Sequence, residues 1–367
     1  MAALVKRVRP ALRAEPVVRF DGLPGEYAQF DFGEVRVTYE GGAADKFVFF
    51  AGRLKYSRLM HVEVTEDQRA ETVVRGVLAC LEVFGGSPKE WVFDNPKTIR
   101  VSPIGNTPIV LHRYLRDLVA EMRVIPTLCA PRSGNQKGSV ERLVGFVKSS
   151  FFLARKFKDR ADVLRQLAEW LHEVNHVRPS DATGRIPAEA LKDETRWLVE
   201  RPLSATSATW ALRETVTVTP MGTVPFEGTS YFASAKRIGA PAMLLVRKDT
   251  IDIQVGEECA SHVREDHTGK VRRLPHQRLD MLAAVHGRRK LATFRRQCLL
   301  ELGKNAWAFL GVLVHRCPGG RWEEPCSELF DLLTEHGDDA MRAAFDRCVA
   351  AESFHVAAVR RALAEVA

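Results

Sequence analysis

The stretch YAQFDFGEV, residues 27–35, decides how the first predicted strand of this chain lies in its sheet. Alternation along a strand assigns Phe30 and Phe32 to one face and Asp31 to the other face, together with Val35. Both faces are expected to be at least partly buried, and a buried carboxylate is costly unless something compensates it. The stretch alone leaves three compensations open: a cation, a hydrogen-bond network, or an exposed strand end.

The composition is that of an ordinary globular protein with substantial cores. The chain has 367 residues, of which 46% are hydrophobic and 27% charged, enough for two or three domains. No apolar run approaches the roughly 18 residues of a membrane helix, and the N-terminus does not resemble a secretory signal. The seven scattered cysteines form no CxxC pair, which argues against a disulfide framework and fits a reducing cytoplasm.

The positive charge is concentrated in two segments. The net charge of +8 favours a polyanionic partner, most often nucleic acid. Residues 270–316 contain eleven Lys or Arg and two acids, and residues 129–158 contain seven Lys or Arg and one acid, Glu141. A solvated surface with no such partner would mix the signs more evenly.

The order of predicted elements indicates a mixed sheet. Residues 26–156 read β-β-β-α-β-α-β-α, with the first helix beginning at a Thr65 cap and ending at Gly85-Gly86. Three strands joined by short links predict an antiparallel meander, and the later alternation with helices predicts parallel pairs. The fold class is therefore α/β, a five-stranded mixed sheet with flanking helices, as in the ribonuclease H-like fold.

The rest of the chain changes character twice. Residues 206–262 read as short alternating strands with Gly and Pro turns, typical of a small barrel. We predict these domains: 1–25, a basic N-terminal arm; 26–156, the catalytic core; 157–205, a helical connector; 206–262, a small SH3-like β-barrel that contacts DNA or assembles the protein; 263–290, a basic linker; 291–367, a helical C-terminal tail.

Three acids fall where such a fold would bring them together. Asp31 lies on the first strand, Asp94 ends the fourth strand, and Glu141 begins the helix after the fifth. Converging carboxylates repel one another unless cations neutralise them, and oxygen ligands favour Mg²⁺ or Mn²⁺. Two such ions can activate the attacking oxygen and stabilise the leaving oxygen of a phosphodiester. Taken singly, Asp94 also fits an Asx turn, and Glu141 fits a salt-bridged helix surface.

Basic and polar residues flank these acids. At 100° per residue, Lys137, Glu141 and Lys148 fall within about 40° of one another on the helix. The donor-rich loop before the helix suits a DNA backbone, although such loops are also ordinary helix entries. The candidate DNA-binding residues are Lys97, Arg132, Asn135, Lys137, Arg142 and Lys148.

A competing motif is HEVNH, residues 172–176, which matches the HExxH signature of zinc proteases. His172 and His176 would share a helix face, with Glu173 as general base. Pro179 ends the helix almost at once, a third ligand has no usual spacing, and the motif leaves the basic charge unexplained. We therefore favour a helical connector.

Three stretches together resemble a known family. PGEYAQFDFGEV, WVFDNPKT and KGSVERLVGFVKSSFF resemble the catalytic core of insertion-sequence transposases of the IstA type, DDE recombinases related in fold to retroviral integrases. The resemblance covers about residues 20–367. It implies that Asp31, Asp94 and Glu141 hold two Mg²⁺ or Mn²⁺ ions for 3′-end cleavage and strand transfer of an insertion sequence into target DNA.

The resemblance also implies partners. They are the transposon ends and target DNA, further copies of this chain on paired ends, and an IstB-type AAA+ ATPase helper. The resemblance places this activity in the bacterial cytoplasm, at the nucleoid, and implies no membrane partner. Family members usually carry N-terminal helix-turn-helix modules, and here some 26 residues precede the first strand. A shortened form is therefore expected. An inactive remnant that binds DNA or the ATPase, and another ribonuclease H-like nuclease, remain open alternatives.

Overall fold

The computed structural model describes residues 22–93, 100–101, 110–128, 143–202, 205–265, 271–273 and 275–364. The chain divides into two compact units, Met1–Trp210 and Ala211–Ala367. The strands of the first unit are β1 Tyr27–Thr38, β2 Ala44–Leu54, β3 Met60–Thr65, β4 Glu90–Phe93, β5 Arg100–Val101, β6 Val110–Leu111 and β7 Ile125–Leu128. Its helices are α1 Ala70–Phe84, α2 Arg113–Met122, α3 residues 143–152, α4 Arg160–His172, continued by a π-helical turn Glu173–Val177, and α5 Pro187–Glu194, continued by a 3₁₀ turn Thr195–Trp197.

The five-stranded mixed sheet predicted from the sequence is confirmed. Its order is β3-β2-β1-β4-β7, with β1 antiparallel to β2 and β2 antiparallel to β3. The pairs β1–β4 and β4–β7 are parallel. An antiparallel meander extended by two parallel strands is the arrangement expected of a ribonuclease H-like core.

One face of this sheet, which we call the aromatic face, packs against α1. The Phe30 ring is fully buried, and its centroid lies 5.5 to 6.2 Å from the rings of Phe50, Phe93 and Trp91. A Cβ on Gly76 of α1 would lie 2.4 Å from the Phe50 ring, so glycine there permits the close approach of helix and sheet. The members of the aromatic face are Ala28, Phe30, Phe32, Phe50, Trp91 and Phe93.

The opposite face, which we call the carboxylate face, packs against α3 and α4. Val37 of β1 and Tyr39, just after the strand, share a buried cluster with residues of both helices, including Leu143 and Trp170. Side chains on a strand alternate between faces, so Asp31 belongs to this face. The predicted division of the two faces is thereby confirmed. The members of the carboxylate face are Asp31, Gly33, Val35, Val37, Tyr39, Phe47, Phe49, Ala51, Met60 and Val62.

Helix α1 begins later than the sequence predicts. Thr65 does not cap it, because the Asp67 side chain turns the chain first: it accepts hydrogen bonds from the Arg69 N–H, at 2.9 Å, and from the Thr72 hydroxyl. The helix then starts at Ala70. Its predicted end is confirmed, since Gly85 adopts a left-handed conformation with φ of 77°.

The second unit contains two sheets and five helices within its described residues. A four-stranded antiparallel sheet has the order β13-β12-β11-β8, and a three-stranded sheet has the order β14-β10-β9. Its strands are β8 Leu212–Thr217, β9 Thr223–Phe226, β10 Thr229–Phe232, β11 Pro241–Val246, β12 Thr250–Val255, β13 Glu258–Val263 and β14 Val271–Arg272. Its helices are α6 Pro275–Ala284, α7 Arg288–Leu300, α8 Lys304–Arg316, α9 Glu323–Ala350, which is kinked at Gly337, and α10 Val356–Ala364.

The segment predicted as a basic linker, 263–290, differs from that prediction because it contains helix α6. Two of its arginines are buried in ion pairs with the later helices: Arg273 with Glu301 at 2.6 Å, and Arg278 with Asp338 at 2.5 Å. The Arg278 hydrogen bonds lower the pKa of Asp338. These cations are therefore internal, and the local charge excess overstates what is available to a partner. Across the described ranges, no helix combines the length and apolar character needed to cross a bilayer.

Candidate active site

Asp31 lies in the middle of β1 at the margin of the buried part of the carboxylate face. Its backbone pairs with Ala51 of β2, and its side chain is partly exposed. The Phe32 N–H donates to its Oδ1 at 2.8 Å. This hydrogen bond fixes the direction of the Asp31 carboxylate.

The neighbouring strand β4 ends beside Asp31. The parallel register pairs Phe93 of β4 with Phe30 of β1, and this is the last described pair of the two strands. Asp94 follows Phe93 directly in the chain and lies outside the described residues.

Helix α3 packs on the carboxylate face, to which Asp31 belongs. The predicted apolar stripe is confirmed where it is described, since Leu143, Val147 and Phe151 are fully buried. The last turn is π-helical, and the Leu153 N–H donates to the Lys148 carbonyl at 2.9 Å. This wider turn buries two successive aromatic residues, Phe151 and Phe152, which an α-helix would separate by about 100°.

An aromatic stack joins β1 and β2 to this helix. Phe49 of β2 lies opposite Gly33, two residues beyond Asp31, and its ring occupies the space that a side chain at Gly33 would fill. The same ring stacks on Phe152, with centroids 5.3 Å apart. Sequence patterning identified Phe49 only as a strand residue, because the contact depends on which strands pair.

Lys148 is the one predicted DNA contact that falls among the described residues. It opens the π-helical turn and is partly buried. The pKa of Glu34 on β1 is lowered, first by its hydrogen bond to Lys46 and more weakly by the charge of Lys148.

The other predicted site residues lie outside the described residues. They are Asp94 and Glu141 of the proposed triad, and Lys97, Arg132, Asn135, Lys137 and Arg142 of the proposed DNA contacts. Within the described ranges, no cluster of three or more His, Cys, Asp or Glu could hold a metal ion.

The HEVNH segment forms the end of α4 and the π-helical turn after it. The rings of His172 and His176 are exposed and stacked, with centroids 5.2 Å apart. Glu173 pairs with Arg155 at 3.3 Å and lies 3.9 Å from Arg178. Its carboxylate is thus engaged by two cations.

Asn175, within the same segment, has a structural role that the sequence pattern did not reveal. Its side-chain Nδ2 donates to the Met60 carbonyl at 2.8 Å, and its Oδ1 accepts from the Met60 N–H at 3.1 Å. The buried amide therefore pairs with the edge of β3 as another strand would. No local signal distinguishes this asparagine from one on a surface.

Glu194 ties α5 to the segments just before β1 and just after β2 in a similar way. The fully buried carboxylate accepts from the Gly25 N–H at 3.0 Å and from the Ser57 N–H at 3.1 Å. Both donors are more than a hundred residues away in sequence, so spacing could not predict the contact.

Parts of this chain are similar to known proteins. Residues 122–187 match the family model described as Integrase core domain, a segment that includes Glu141 and Lys148. A putative transposase for insertion sequence element IS5376 of Geobacillus stearothermophilus is 28% identical over 191 residues, or 52% of this chain and 48% of that protein. The transposase for insertion sequence element IS21 of Pseudomonas aeruginosa is 32% identical over 174 residues, or 47% of this chain and 43% of that protein.

Among solved structures, the HTLV-2 integrase catalytic core domain in complex with magnesium is similar over 47% of this chain and 99% of that chain. The identity is 14% and the TM-score is 0.34. This chain spans about half the length of the curated relatives that it matches.

Proposed function

We propose that this chain, a relative of insertion-sequence transposases with an integrase core, is the catalytic part of a DDE-type DNA transposase. It would cleave the ends of an insertion sequence to free 3′-hydroxyls and join them to target DNA. The triad would be Asp31, Asp94 and Glu141.

The observation that carries the proposal is the register between β1 and β4. Phe30 pairs with Phe93, the last described residue of β4, and Asp31 and Asp94 follow these two residues directly in the sequence. Residues that are aligned in neighbouring strands share a face, so a register continued by one residue would set the two carboxylates side by side. Glu141 precedes by two residues the described part of α3, which packs on the same face.

The proposed donor set fits a hard divalent cation. Three carboxylates offer oxygen ligands, which Mg²⁺ and Mn²⁺ prefer, and the hydrogen bond from the Phe32 N–H fixes the direction of the Asp31 carboxylate. We propose two ions per site. When bound, they would neutralise the acids, activate the attacking oxygen and stabilise the leaving oxygen.

The residues of the chain would then act by positioning. In cleavage, water attacks the phosphorus at the element end, the P–O3′ bond breaks, and the 3′ oxygen leaves as a hydroxyl. In joining, that hydroxyl loses its proton, attacks a target phosphorus, and displaces a target 3′ oxygen. Each joining step exchanges one phosphodiester bond for another, so no protein nucleophile is required.

The DNA backbone would be gripped by residues around the triad. We propose Lys148 as a phosphate contact, because it is partly exposed and lies on the helix that packs on the same sheet face to which Asp31 belongs. Lys97, Arg132, Asn135, Lys137 and Arg142 are proposed on the sequence pattern alone. Phosphate contacts of this kind position DNA without reading its sequence.

The remaining parts of the proposal concern domains and partners. The core would be 26–156, with the arm 1–25 before it and the connector 157–205 after it. The SH3-like barrel 206–262, the segment 263–290 and the helical tail 291–367 would serve DNA contact and assembly. Resemblance to the IstA type supports copies of this chain on paired ends and an IstB-type AAA+ ATPase as helper.

A joining assay tests the proposal. Duplexes copied from the DNA that flanks the gene, ending in free 3′-hydroxyls, are incubated with a plasmid target and Mg²⁺ or Mn²⁺. We expect joined products that EDTA abolishes. Asp31→Asn, Asp94→Asn and Glu141→Gln should each reduce joining at least about 100-fold, because each loses several kcal/mol of transition-state stabilisation.

The matched control is Glu34→Gln, which removes an exposed acid three residues along the same strand. It should join ends at the wild-type rate. Normal joining by Asp31→Asn would show that the triad assignment is wrong. Salt-dependent DNA binding without any products would favour the inactive remnant, and cleavage of branched DNA without joining would favour another ribonuclease H-like nuclease.

A further inference from the structure

Gly33 is the only position on the carboxylate face, among its described members, where a buried ring takes the place of a side chain. A Cβ built on Gly33 would lie 2.1 Å from Cζ of Phe49 and 2.6 Å from both Cε atoms. Carbon atoms in contact prefer about 3.5 to 4.0 Å, so a methyl group there would force the ring or the strand to move by more than about 1 Å. Gly33 and Asp31 are neighbours on the same face of β1.

The Phe49 ring has little freedom to move away. Its side chain is fully buried, and its ring stacks on Phe152, with an interplanar angle of 30°. Phe152 in turn contacts the rings of Phe47, at 6.1 Å, and Phe151, at 4.8 Å. Buried rings packed in series transmit a displacement instead of absorbing it, because protein interiors are close-packed.

We infer that the Phe49 ring, seated over Gly33 and stacked on Phe152, sets the separation of β1 and the described part of α3 and thereby the position of Asp31 relative to that helix. Gly33, Phe49 and Phe152 are positioning residues, since they would not touch the metal ions or the DNA. The inference rests on the proposed function, because it concerns the placement of Asp31 as a metal ligand.

The position that the Phe49 ring sets is important because metal ligands tolerate little displacement. Metal ligands must be held within about 0.5 Å of the productive geometry, and an error near 1 Å in placement can cost about 100-fold in rate. The shift that a methyl group at Gly33 demands exceeds this tolerance. Substitutions that disturb the residues supporting metal ligands typically weaken metal binding by about 10- to 100-fold.

Gly52 provides a matched comparison on the other side of the sheet. It lies on the adjacent strand β2, and a Cβ there would lie 2.4 Å from Sγ of Cys80 and 2.9 Å from the Phe30 ring. The steric conflict is similar in size. It is directed at α1, through the aromatic face, and away from α3.

The experiment compares Gly33→Ala and Gly52→Ala in the full chain. Mn²⁺ affinity is measured without DNA by calorimetry and by the metal-induced shift in melting temperature, and joining is measured as a function of Mg²⁺ concentration. We expect both variants to lose thermal stability. Gly33→Ala alone should bind Mn²⁺ at least about tenfold more weakly and need correspondingly more Mg²⁺ for joining.

A double-mutant cycle gives a second readout. Phe49→Leu removes the end of the ring, so Gly33→Ala combined with Phe49→Leu should bind Mn²⁺ more tightly than the product of the two single effects predicts. Simple additivity, or equal Mn²⁺ affinity in Gly33→Ala and Gly52→Ala, would overturn the inference.

The proposed function is tested separately by Asp31→Asn in the same titration. If wild-type Mn²⁺ binding does not depend on Asp31, the proposed function fails and the inference falls with it. If binding depends on Asp31 but Gly33→Ala behaves like Gly52→Ala, the inference alone fails.

Discussion

The two faces of the five-stranded sheet are built from the same strands, but they differ in burial at Phe30 and Asp31. On the aromatic face, Phe30 is fully buried among rings from β2 and β4. On the carboxylate face, the next residue, Asp31, is partly exposed. Alternation along β1 thus places a buried ring and a partly exposed carboxylate, the proposed metal ligand, on successive residues. The comparison predicts that stability and activity can be changed separately at adjacent residues.

The largest expected effect comes from Phe30→Ala. Removing a fully buried ring at the centre of the aromatic face should lower the free energy of unfolding by about 3 to 5 kcal/mol. This loss is measured by urea denaturation, from the unfolding transition of the first unit. Asp31→Asn, one residue away, should change it by less than about 1 kcal/mol while abolishing joining. Similar losses from both variants would show that the two faces are not separable.

A smaller effect is expected from Asn175→Ala, which frees the edge of β3 from its cover. The variant loses both buried hydrogen bonds between the Asn175 side chain and the N–H and carbonyl of Met60. Leaving these two backbone groups without the amide should lower the free energy of unfolding by about 1 to 3 kcal/mol. The exposed neighbour His176→Ala is the control and should stay within about 0.5 kcal/mol in the same denaturation experiment. Hydrogen exchange at the Met60 amide should rise in the first variant. Protection that stays at the wild-type level would contradict the assigned role.

The smallest effect concerns His61 of β3, which shares the aromatic side of the sheet with Gly52. Burial lowers the pKa of His61, and Glu82 opposes this in part. The unfolded chain therefore binds a proton near the ordinary pKa of about 6.5, while the folded chain does not until lower pH. The contribution of neutral His61 to the free energy of unfolding is therefore fully present above the pKa of the unfolded chain. It is lost as the pH falls from that value through the lower pKa of the folded chain.

His61→Gln should consequently weaken the decline in unfolding free energy between pH 7.5 and pH 5.5, measured by denaturation at a series of pH values. An identical decline in both proteins would show that the neutral imidazole is not preferred by the fold. Joining at pH 7.5 should be unaffected, since His61 lies on the side of the sheet away from Asp31.

Much of the core could be predicted from local pattern. Alternation in residues 27–39 gave the correct faces, the order of strands and helices gave the mixed sheet, and the spacing of Leu143, Val147 and Phe151 gave the buried side of α3. These succeed because strand and helix periodicity report burial directly. The triad itself remains a prediction, supported by the register at Phe30 and Phe93.

The features that escaped prediction depend on distant contacts. The π-helical turn that buries Phe152 is favoured by its stack on Phe49, which is about a hundred residues away in sequence. Arg278, counted among the basic residues available to a partner, is paired with Asp338. Local charge counts cannot tell an internal cation from an exposed one, because ion pairing is decided by tertiary structure.

The amide of Asn175 at the margin of β3 has a consequence for association between molecules. Among the strands that the structure describes, β3 lies at one edge of the five-stranded sheet. Exposed strand edges offer unpaired N–H and carbonyl groups to strands of other molecules, which promotes aggregation. Because the N–H and the carbonyl of Met60 are both bound to Asn175, this position of the edge is closed to such pairing.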